Sequence, residues 1–408
     1  MNILYIDHYA GSPKMGMEFR PFYFAKEWSK SGNNVRIIGA SFSHLRKTNP
    51  DVKKDFLCET IDGVEYQWIK TCKYKGNGLK RVLSIYQFVS KLKRNAKYIC
   101  DSFKPDVVIA SSTYPFDAYA GKKIAKISNA KFIFEGHDLW PLTLIEIGGM
   151  NPKNPFIIKM AKAEKYAYSQ SDTVVSLLPF SYEHMLRHGL QSIEKFHYIS
   201  NGIVVSDWDA PENLPLEHQK LFTQLKKSNK FIVMFTGGHA VSNMLDVLLN
   251  VAKQLINDDS IVFVLIGSGV EKARLIQRKE KENLNNVVFL PPINKNAIPS
   301  ALNEASVLYI GGYAQLYRFG VSMNKVYDYM MSGKPILYGV KAKNNDVEEA
   351  GAGVVFDFND INSLVNAIYK VKNMSENDRK IMGEKGKQWV IKNCDYRVLA
   401  QRFLLLMD

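Results

Sequence analysis

Apolar, β-branched runs of strand length alternate with helix-length segments along the whole chain. Continuous apolar runs of this length are typical of strands that are buried on both faces. Their alternation with helices is typical of a parallel sheet with crossover helices. The pattern predicts strands over residues 2–7, 35–40, 64–70, 106–111, 131–135, 173–178, 231–235, 261–266, 287–290, 306–310, 335–340 and 353–357.

The series of strands restarts in the middle of the chain. "FIVMFTGG" at 231–238 repeats the strand-then-loop opening of "MNILYIDHYAG" at 1–11, and the polar stretch 201–230 between them reads as a connection. We therefore expect two doubly wound, Rossmann-like α/β domains. The first would comprise residues 1–202 with a C-terminal helix, 385–408, packing back on it, and the second residues 203–384. Such sheets bind ligands at the carboxyl ends of their strands, so a cleft between two facing domains is the expected site.

Composition is that of a globular protein, with 46% hydrophobic and 23% charged residues. No apolar run reaches the roughly 20 residues that span a bilayer, and the first residues lack the layout of a signal peptide. These features predict a cytoplasmic protein. The four cysteines are scattered, and no His or Cys cluster has metal-ligand spacing, so neither a disulfide framework nor a metal site is expected.

Lysine and arginine outnumber aspartate and glutamate by 54 to 40, a net charge of +14. Such a balance favours an anionic partner, and the absence of RNP aromatics or a C2H2 pattern argues against nucleic acid. Residues 72–98 contain no acid, and their apolar residues recur at helical spacing. This pattern favours a basic amphipathic helix on an anionic membrane face, whereas the alternative is a crossover helix with solvated charges. The candidate membrane residues are Lys80, Arg81, Lys91, Lys93 and Arg94.

"RFGVSMNKVYDYMMSGKP" at 318–335 has the signals of one helix, with Ser322 as N-cap and a stop at Gly333. Lys325 then lies in the first turn, where the helix dipole disfavours a cation unless an anion is bound there. Asp328, three residues on, would accept hydrogen bonds from sugar hydroxyls. The alternative is a surface ion pair between Lys325 and Asp328. The expected donor-binding residues of this stretch are Arg318, Gly320, Val321, Ser322, Asn324, Lys325 and Asp328.

Loops after predicted strands supply the other candidates. "DHYAGSPKMGMEFRP" at 7–21 is a glycine loop before a helix, with an ordinary βα loop as the alternative. Its candidate ligand contacts are Gly11, Ser12, Gly16, Glu18 and Arg20.

"FTGGHAVSN" at 235–243 follows the first strand of the second domain. Gly237, Gly238 and His239 are candidates there for holding a phosphate. "LIGSGVEKARL" at 265–275 is interpreted as a tight βα turn.

"KFIFEGHDLWP" at 131–141 ends a strand with a polar group. We favour His137 and Asp138 over Glu135 for acid–base chemistry, and the alternative is a cluster that caps the strand end.

Over essentially its full length the chain resembles GT-B glycosyltransferases of family 4. The similarity is greatest to the bacterial polysaccharide, capsule and O-antigen branch that includes L-fucosamine transferase-like enzymes. It rests on "HYAGSPKMGMEFRPFYFAKEW", "ASFSHLR", "HDLWP", "SNGI", "FTGGHAV" and "GVSMNKVYDYMMSGKPIL", in this order.

The resemblance implies a GT-B fold and retaining transfer of a sugar from a nucleotide sugar, usually UDP-linked, without a required metal or other cofactor. It places the donor on the C-terminal domain and the acceptor on the N-terminal one. Asp328 matches the family carboxylate that holds the ribose, whereas Gly320 stands where the family has a second acid. The family's early diphosphate-binding Arg and Lys are absent from "GGHAVSNM", so Arg318 and Lys325 are the expected replacements. The family's cleft histidine falls near "GHDLWP", which gives Asp138 the acceptor role, with His137 second.

The expected function is transfer of a sugar, with UDP-N-acetyl-L-fucosamine or a similar amino sugar as candidate donor. The acceptor would be a lipid-linked (undecaprenyl diphosphate) glycan at the inner face of the cytoplasmic membrane. Two alternatives share the architecture: a nucleotide-sugar 2-epimerase, and a non-catalytic nucleotide-sugar-binding subunit, for which Gly320 is the main argument.

Overall fold

The computed structural model describes residues 1–16, 19–76 and 78–408. The chain divides into two compact units. The first comprises Met1–Asn201, Phe319–Val321 and Tyr396–Asp408, and the second Gly202–Arg318 and Ser322–Asp395. The chain thus returns to the first unit at Tyr396, later than the expected residue 385. Glu18, a candidate from the first glycine loop, lies outside the described residues.

Two sheets carry the strands of the described chain. In chain order the strands are β1 Asn2–Ile6, β2 Asn34–Ala40, β3 Leu57–Ile61, β4 Val64–Ile69, β5 Val107–Ala110, β6 Lys131–Gly136, β7 Thr173–Ser176, β8 Phe196–Tyr198, β9 Phe231–Thr236, β10 Ile261–Ile266, β11 Val287–Leu290, β12 Val307–Gly312, β13 Ile336–Val340 and β14 Gly353–Val355. Each strand predicted from the apolar runs is present, with ends shifted by at most two residues.

The helices are α1 Arg20–Lys30, α2 Leu79–Arg94, α3 Ala96–Phe103, α4 Ala118–Ser128, α5 Leu142–Glu146, α6 Pro155–Gln170, α7 Tyr182–Arg187, α8 Leu216–Lys227, α9 Leu245–Gln254, α10 Lys272–Lys281, α11 Ile298–Asn303, α12 Asn324–Met331, α13 Asp346–Ala350, α14 Ile361–Lys372, α15 Glu376–Cys394 and α16 Tyr396–Leu404. None of the helices in the described part of the chain combines the length and apolarity needed to cross a bilayer.

The first unit is built on an eight-stranded sheet with the order β3-β4-β2-β1-β5-β6-β7-β8. Its strand pairs are parallel except β3–β4, which is antiparallel. The apolar pattern missed β3 and β8, the two edge strands. Edge strands need not be buried on both faces, and the middle residues of β3 are exposed. In the same unit α16 packs on α1, where Trp28 Nε1 donates to the carbonyl of Ala400 at 3.1 Å.

The second unit contains a six-stranded parallel sheet with the order β11-β10-β9-β12-β13-β14. Successive residues of its central strand β9 enter opposite cores, because side chains alternate across a strand. Val233 and Phe235 pack with α9 and α14, whereas Ile232 and Met234 pack with α8, α11 and α12. Helices on both faces make this unit doubly wound, which confirms the predicted fold class.

Two local predictions in the second unit were wrong. The stretch 201–230 is not only a connection, because α8 buries Phe222 and Leu225 in the core of the second unit. Helix α12 begins at Asn324 with Met323 as N-cap and no side-chain cap, so Ser322 lies one residue too early to cap it. The predicted stop is close, since α12 ends at Met331 and Gly333 has a φ of 68°.

Candidate functional site

The loops after β9 and β10 cross at van der Waals distance in the second unit. Gly237, Gly267 and Gly269 have φ angles of 132°, 149° and 155°, which side-chain-bearing residues rarely adopt. A Cβ added to Gly267 would lie 1.9 Å from the carbonyl oxygen of Gly237. A Cβ on Gly269 would lie 2.4 Å from the carbonyl oxygen of His239. Together these glycines form a loop crossing, Gly237–His239 with Gly267–Gly269, in which Gly238, Ser268 and Gly269 are exposed. The sequence pattern at 265–275 predicted only a tight βα turn, because nothing in the pattern indicates its contact with the loop after β9.

Lys325 reaches the glycine crossing from the first turn of α12. Its Cε lies 3.0 Å from where a Cβ on Gly237 would be, and its Nζ donates to Asn243 Oδ1 at 2.9 Å. The ammonium also sits 4.1 Å from the centroid of the Phe235 ring. Burial lowers the pKa of Lys325 to about 7. A neutral amide and a ring hold this cation, so a bound anion would stabilise its charged form.

Asn243 was not predicted from the sequence as a site residue, although its side chain hydrogen-bonds both to Lys325 and to the loop after β9. Its Nδ2 donates to the carbonyl of Gly238 at 2.7 Å while its Oδ1 accepts from Lys325. The side chain thereby ties the lysine to the loop. Only the tertiary structure shows this link, because 82 positions separate the two residues.

His239 is fully buried beside the glycine crossing. Neither ring nitrogen has a hydrogen-bond partner in the described structure, and the ring packs against Phe235 and Phe289. Burial, then Lys272 and Lys325, lower the pKa of His239, so the neutral imidazole is favoured. Lys272 itself donates to the carbonyls of Gly267 and Leu290, each at 2.7 Å, and so links the crossing to the end of β11.

Asp328 points to a different environment from Lys325. It lines a small pocket of about 20 Å³ together with Asp207, Trp208 and Lys295, roughly the space of one water molecule. Burial raises the pKa of Asp328 to about 6, Lys295 opposes this shift, and Asp207 adds to it. No ion pair joins Asp328 to Lys325 in the described structure, so the surface-pair alternative for these two residues was wrong.

The remaining positions of the 318–335 stretch have varied surroundings. Arg318 is exposed in a 3₁₀ turn, and its Nη1 donates to the carbonyl of Gln315 at 2.9 Å. Gly320, with a φ of 92°, and Val321 are buried and belong to the first unit. Ser322 Oγ lies 3.3 Å from the Tyr327 hydroxyl, and Asn324 is the exposed first residue of α12. Their convergence on an anion remains a prediction.

In the first unit, Glu135 at the end of β6 is the centre of a closed polar network. The carboxylate is fully buried and pairs with Arg20, whose Nη2 lies 2.8 Å from Oε1. The hydroxyls of Ser111 and Tyr5 donate to its other oxygen. Burial alone would raise the pKa of Glu135, but Arg20 and His137 outweigh it and hold that pKa well below its usual range. Contacts within the first unit therefore favour the charged form of Glu135, which gives it a structural role.

Arg20 has a different role from the phosphate contact that the sequence suggested. Besides Glu135, its guanidinium donates to the carbonyls of Ser200 and Ile199, at 2.5 and 2.9 Å. The side chain is only 4% exposed. Because these acceptors fill the fork of the guanidinium, Arg20 ties α1 to the sheet instead of facing a ligand.

His137 contacts this network, and Asp138 is the next residue in the chain. His137 Nε2 is 2.8 Å from Ser111 Oγ and 3.4 Å from Glu135 Oε2. Burial opposes charge on the ring, but the hydrogen bond and charge of Glu135 raise the pKa of His137 above its usual value. Asp138 is half-buried, and its Oδ1 accepts from Leu139 N at 2.8 Å and Thr143 Oγ1 at 2.7 Å. The carboxylate is thus oriented by α5 at the carboxyl edge of the sheet.

The described part of the first glycine loop packs inwards. The Gly11 carbonyl accepts from the Tyr66 hydroxyl at 2.6 Å, and Gly16 has a φ of 89°. The Ser12 hydroxyl is fully buried and has no hydrogen-bond partner in the described structure. Ser12 therefore keeps an unsatisfied polar atom, which leaves its predicted ligand contact open to test.

Helix α2 divides the basic candidates into two groups. Lys91 pairs with Asp55 at 2.9 Å, and the guanidinium carbon of Arg81 lies 5.5 and 5.3 Å from the Tyr9 and Trp140 ring centroids. Arg81 and Lys91 are therefore engaged within the first unit, unlike the expected membrane contacts. Lys80, Lys93 and Arg94 are exposed.

No group of three or more His, Cys, Asp or Glu residues in the described ranges is arranged to hold a metal.

Protein-family models of glycosyltransferases match the sequence of both units. Residues 16–207 match the model described as "Glycosyltransferase Family 4", and residues 217–389 match "Glycosyl transferases group 1". A colanic acid biosynthesis glycosyl transferase, WcaI, of Escherichia coli (strain K12) is 25% identical over 208 residues. This alignment covers 49% of each chain, so the match spans about half the length of that relative.

Solved structures with the same fold cover nearly the whole chain. Sucrose-phosphate synthase from Thermosynechococcus elongatus superposes with a TM-score of 0.72 at 14% identity, over 100% of this chain and 98% of the other. Anabaena HepE, in a complex with UDP and glucose, superposes with a TM-score of 0.67 at 14% identity, over 100% and 99%. Residues 16–207 are therefore similar to glycosyltransferase family 4 domains and residues 217–389 to glycosyl transferases of group 1, and the chain has the GT-B fold.

Proposed function

We propose that the protein is a retaining, metal-independent glycosyltransferase that takes a sugar from a UDP-sugar. Its acceptor is a lipid-linked glycan of bacterial surface polysaccharide synthesis. The observation that carries the donor half is Lys325, a half-buried cation held against the glycine crossing by neutral partners. The presence of UDP and glucose in the HepE complex supports a nucleotide-sugar donor. An amino sugar such as UDP-N-acetyl-L-fucosamine is the candidate donor.

In the proposed reaction the bond between the anomeric carbon and the UDP oxygen breaks, and a bond from that carbon to the acceptor oxygen forms. The diphosphate leaves with the bonding electron pair, and Lys325 stabilises its charge next to the backbone of the glycine crossing. The acceptor hydroxyl donates to Asp138, which orients it and takes its proton. His137, in contact with Glu135, is the second candidate for this role.

The exposed face of α2 supports a peripheral position at the inner face of the cytoplasmic membrane. Leu79, Leu83 and Tyr86 recur at helical spacing and are 88%, 47% and 62% exposed. Lys80, Lys93 and Arg94 lie exposed on the same helix. An apolar stripe with basic neighbours is the arrangement that binds an anionic bilayer surface.

Donor binding is tested by calorimetry with UDP, GDP and dTDP sugars on the wild-type chain. We expect UDP-sugars to bind with the highest affinity, and binding of none of them would refute the donor site. Incubation with donor alone then separates the proposal from a 2-epimerase, which would convert free sugar nucleotide without acceptor.

Transfer is tested with labelled UDP-sugar and a bacterial membrane extract. Asp138→Asn should lower turnover by about 10²- to 10⁴-fold while donor affinity stays unchanged. Wild-type donor binding without transfer to any extract would support the non-catalytic alternative instead.

A further inference from the structure

The first unit contains a groove lined by one apolar and one basic set of side chains, called here the apolar wall and the basic wall, both with members on α6. It has a volume of about 480 Å³ and lies among α5, α6 and α7. One wall is apolar, with Pro141, Leu142, Ile145, Ile157 and Ile158. The other wall is basic, with Lys162, Lys165 and Arg187. A groove of this kind matches an amphiphile with one hydrocarbon chain and an anionic head.

The fold covers the apolar wall only in part, since Ile157 is buried whereas Leu142 and Ile145 are half-buried. Helix α5 has the sequence LTLIE and contains no buried residue, and Ile147 after it is 58% exposed. Ile158 on α6 is 44% exposed. Apolar side chains that the core covers only in part favour a hydrophobic ligand at this groove.

The basic wall has no acid to neutralise it. Glu164 is the one carboxylate among the described residues that line the groove, and it is 1% exposed. Its Oε1 is bound by His184 Nε2 at 2.8 Å and by the Tyr168 hydroxyl at 3.2 Å. No ion pair engages Lys162 or Lys165 in the described ranges. The charge that this wall presents is therefore positive.

The groove is connected in sequence and by hydrogen bonding to the candidate acceptor residue. Pro141 and Leu142 of its wall follow Asp138 closely, and Thr143 of α5 donates to the Asp138 carboxylate at 2.7 Å. A ligand in the groove would therefore lie beside the helix that orients Asp138.

We propose that this groove binds the lipid carrier of the acceptor, with its phosphate on Lys162 and Lys165 and its first isoprenoid units along the α5–α6 apolar wall. This inference rests on the proposed function for the identity of the acceptor. It is separate from the α2 face, which contacts the bilayer surface and not an individual lipid.

The test uses farnesyl phosphate, a short isoprenoid monophosphate, titrated into the full-length protein below its micelle concentration. We expect calorimetry to show binding at least about tenfold tighter than that of either inorganic phosphate or farnesol. Lys162→Ala with Lys165→Ala, and separately Ile158→Asn, should each weaken farnesyl phosphate binding by about tenfold or more. Lys159→Ala is the matched control, because Lys159 is exposed on α6 but does not line the groove.

Farnesyl phosphate binding no tighter than that of phosphate alone would overturn the proposal. So would a loss in Lys159→Ala equal to that in the groove variants, because it would show unspecific charge attraction. UDP affinity is measured on every variant and should not change. Failure of UDP binding in the wild type would refute the proposed donor function, a result independent of the groove titration.

Discussion

The charged side chains near the carboxyl edges of the two sheets differ in how far the fold neutralises them. In the first unit, Arg20 and Glu135 satisfy each other and the neighbouring backbone, so the network is closed. In the second unit, Lys325 is held by an amide and a ring, and the nearby His239 has no hydrogen-bond partner in the described structure. A charged residue near the carboxyl edge of a sheet therefore indicates a ligand only when the fold has not already neutralised its charge.

The largest effect is expected from breaking the closed network. Glu135→Gln leaves the buried guanidinium of Arg20 without its counter-charge and should lower the free energy of unfolding by about 3–5 kcal/mol, measured by urea denaturation. Glu27→Gln, which removes the exposed pair with Lys30, is the control and should cost at most about 1 kcal/mol. Equal losses of stability in the two variants would show that the buried pair stabilises the fold no more than an exposed pair does.

A paired replacement sharpens this test. Arg20→Met combined with Glu135→Leu removes both charges and should recover much of the stability lost in Glu135→Gln, because the buried pair has a large desolvation cost. A double variant less stable than the single one would show that the hydrogen bonds of Arg20 to the Ile199 and Ser200 carbonyls matter more than its charge.

Lys325→Met should weaken ligand binding and not the stability of the fold, in contrast to Glu135→Gln. We expect UDP affinity to fall about 10- to 100-fold, the loss of a charged hydrogen bond to phosphate, by calorimetry. Lys281→Ala, an exposed lysine at the end of α10, is the control and should leave affinity unchanged. Unaltered affinity in Lys325→Met would show that the cation is not a phosphate contact.

The stability of the same variant tests the sign of the pKa shift. The pKa of Lys325 is about 7 when folded, below its unfolded value, so the charged form is penalised in the native state. That penalty is fully present below about pH 7 and disappears as pH rises through the unfolded pKa. Lys325→Met should therefore be at least as stable as the wild type at pH 6 in urea denaturation, unlike Glu135→Gln. A less stable variant would show that the ammonium contributes to the apo fold.

The smallest expected effect is the uptake of a proton when UDP binds. At pH 8 Lys325 is mostly neutral in the free protein, and a bound diphosphate should raise its pKa, so UDP binding takes up as much as one proton. Calorimetry in buffers of different ionisation enthalpy measures this uptake, which should vanish in Lys325→Met. Uptake that persists in the variant would assign the proton to another group, such as Asp328, whose pKa is about 6.

The site was less predictable than the fold, for a reason visible at individual residues. Spacing along the chain identified Lys325 as unusual, because the helix dipole is a local effect. It did not identify Asn243 or the contact between the two glycine turns, and it gave Arg20 a phosphate contact and Arg81 a membrane contact. Each of these depends on a partner that lies far away in sequence, such as Glu135 for Arg20 and Trp140 for Arg81.

The sequence by itself determined the parallel strands of two α/β sheets other than the edge strand β8, because strands buried on both faces must be continuous apolar runs and leave a readable pattern. It also showed an excess of basic residues. Only the tertiary structure decided which of those charges are neutralised, because ion pairs and burial join residues that the pattern keeps apart. The choice between a structural anchor such as Arg20 and a ligand contact such as Lys325 is therefore a three-dimensional property.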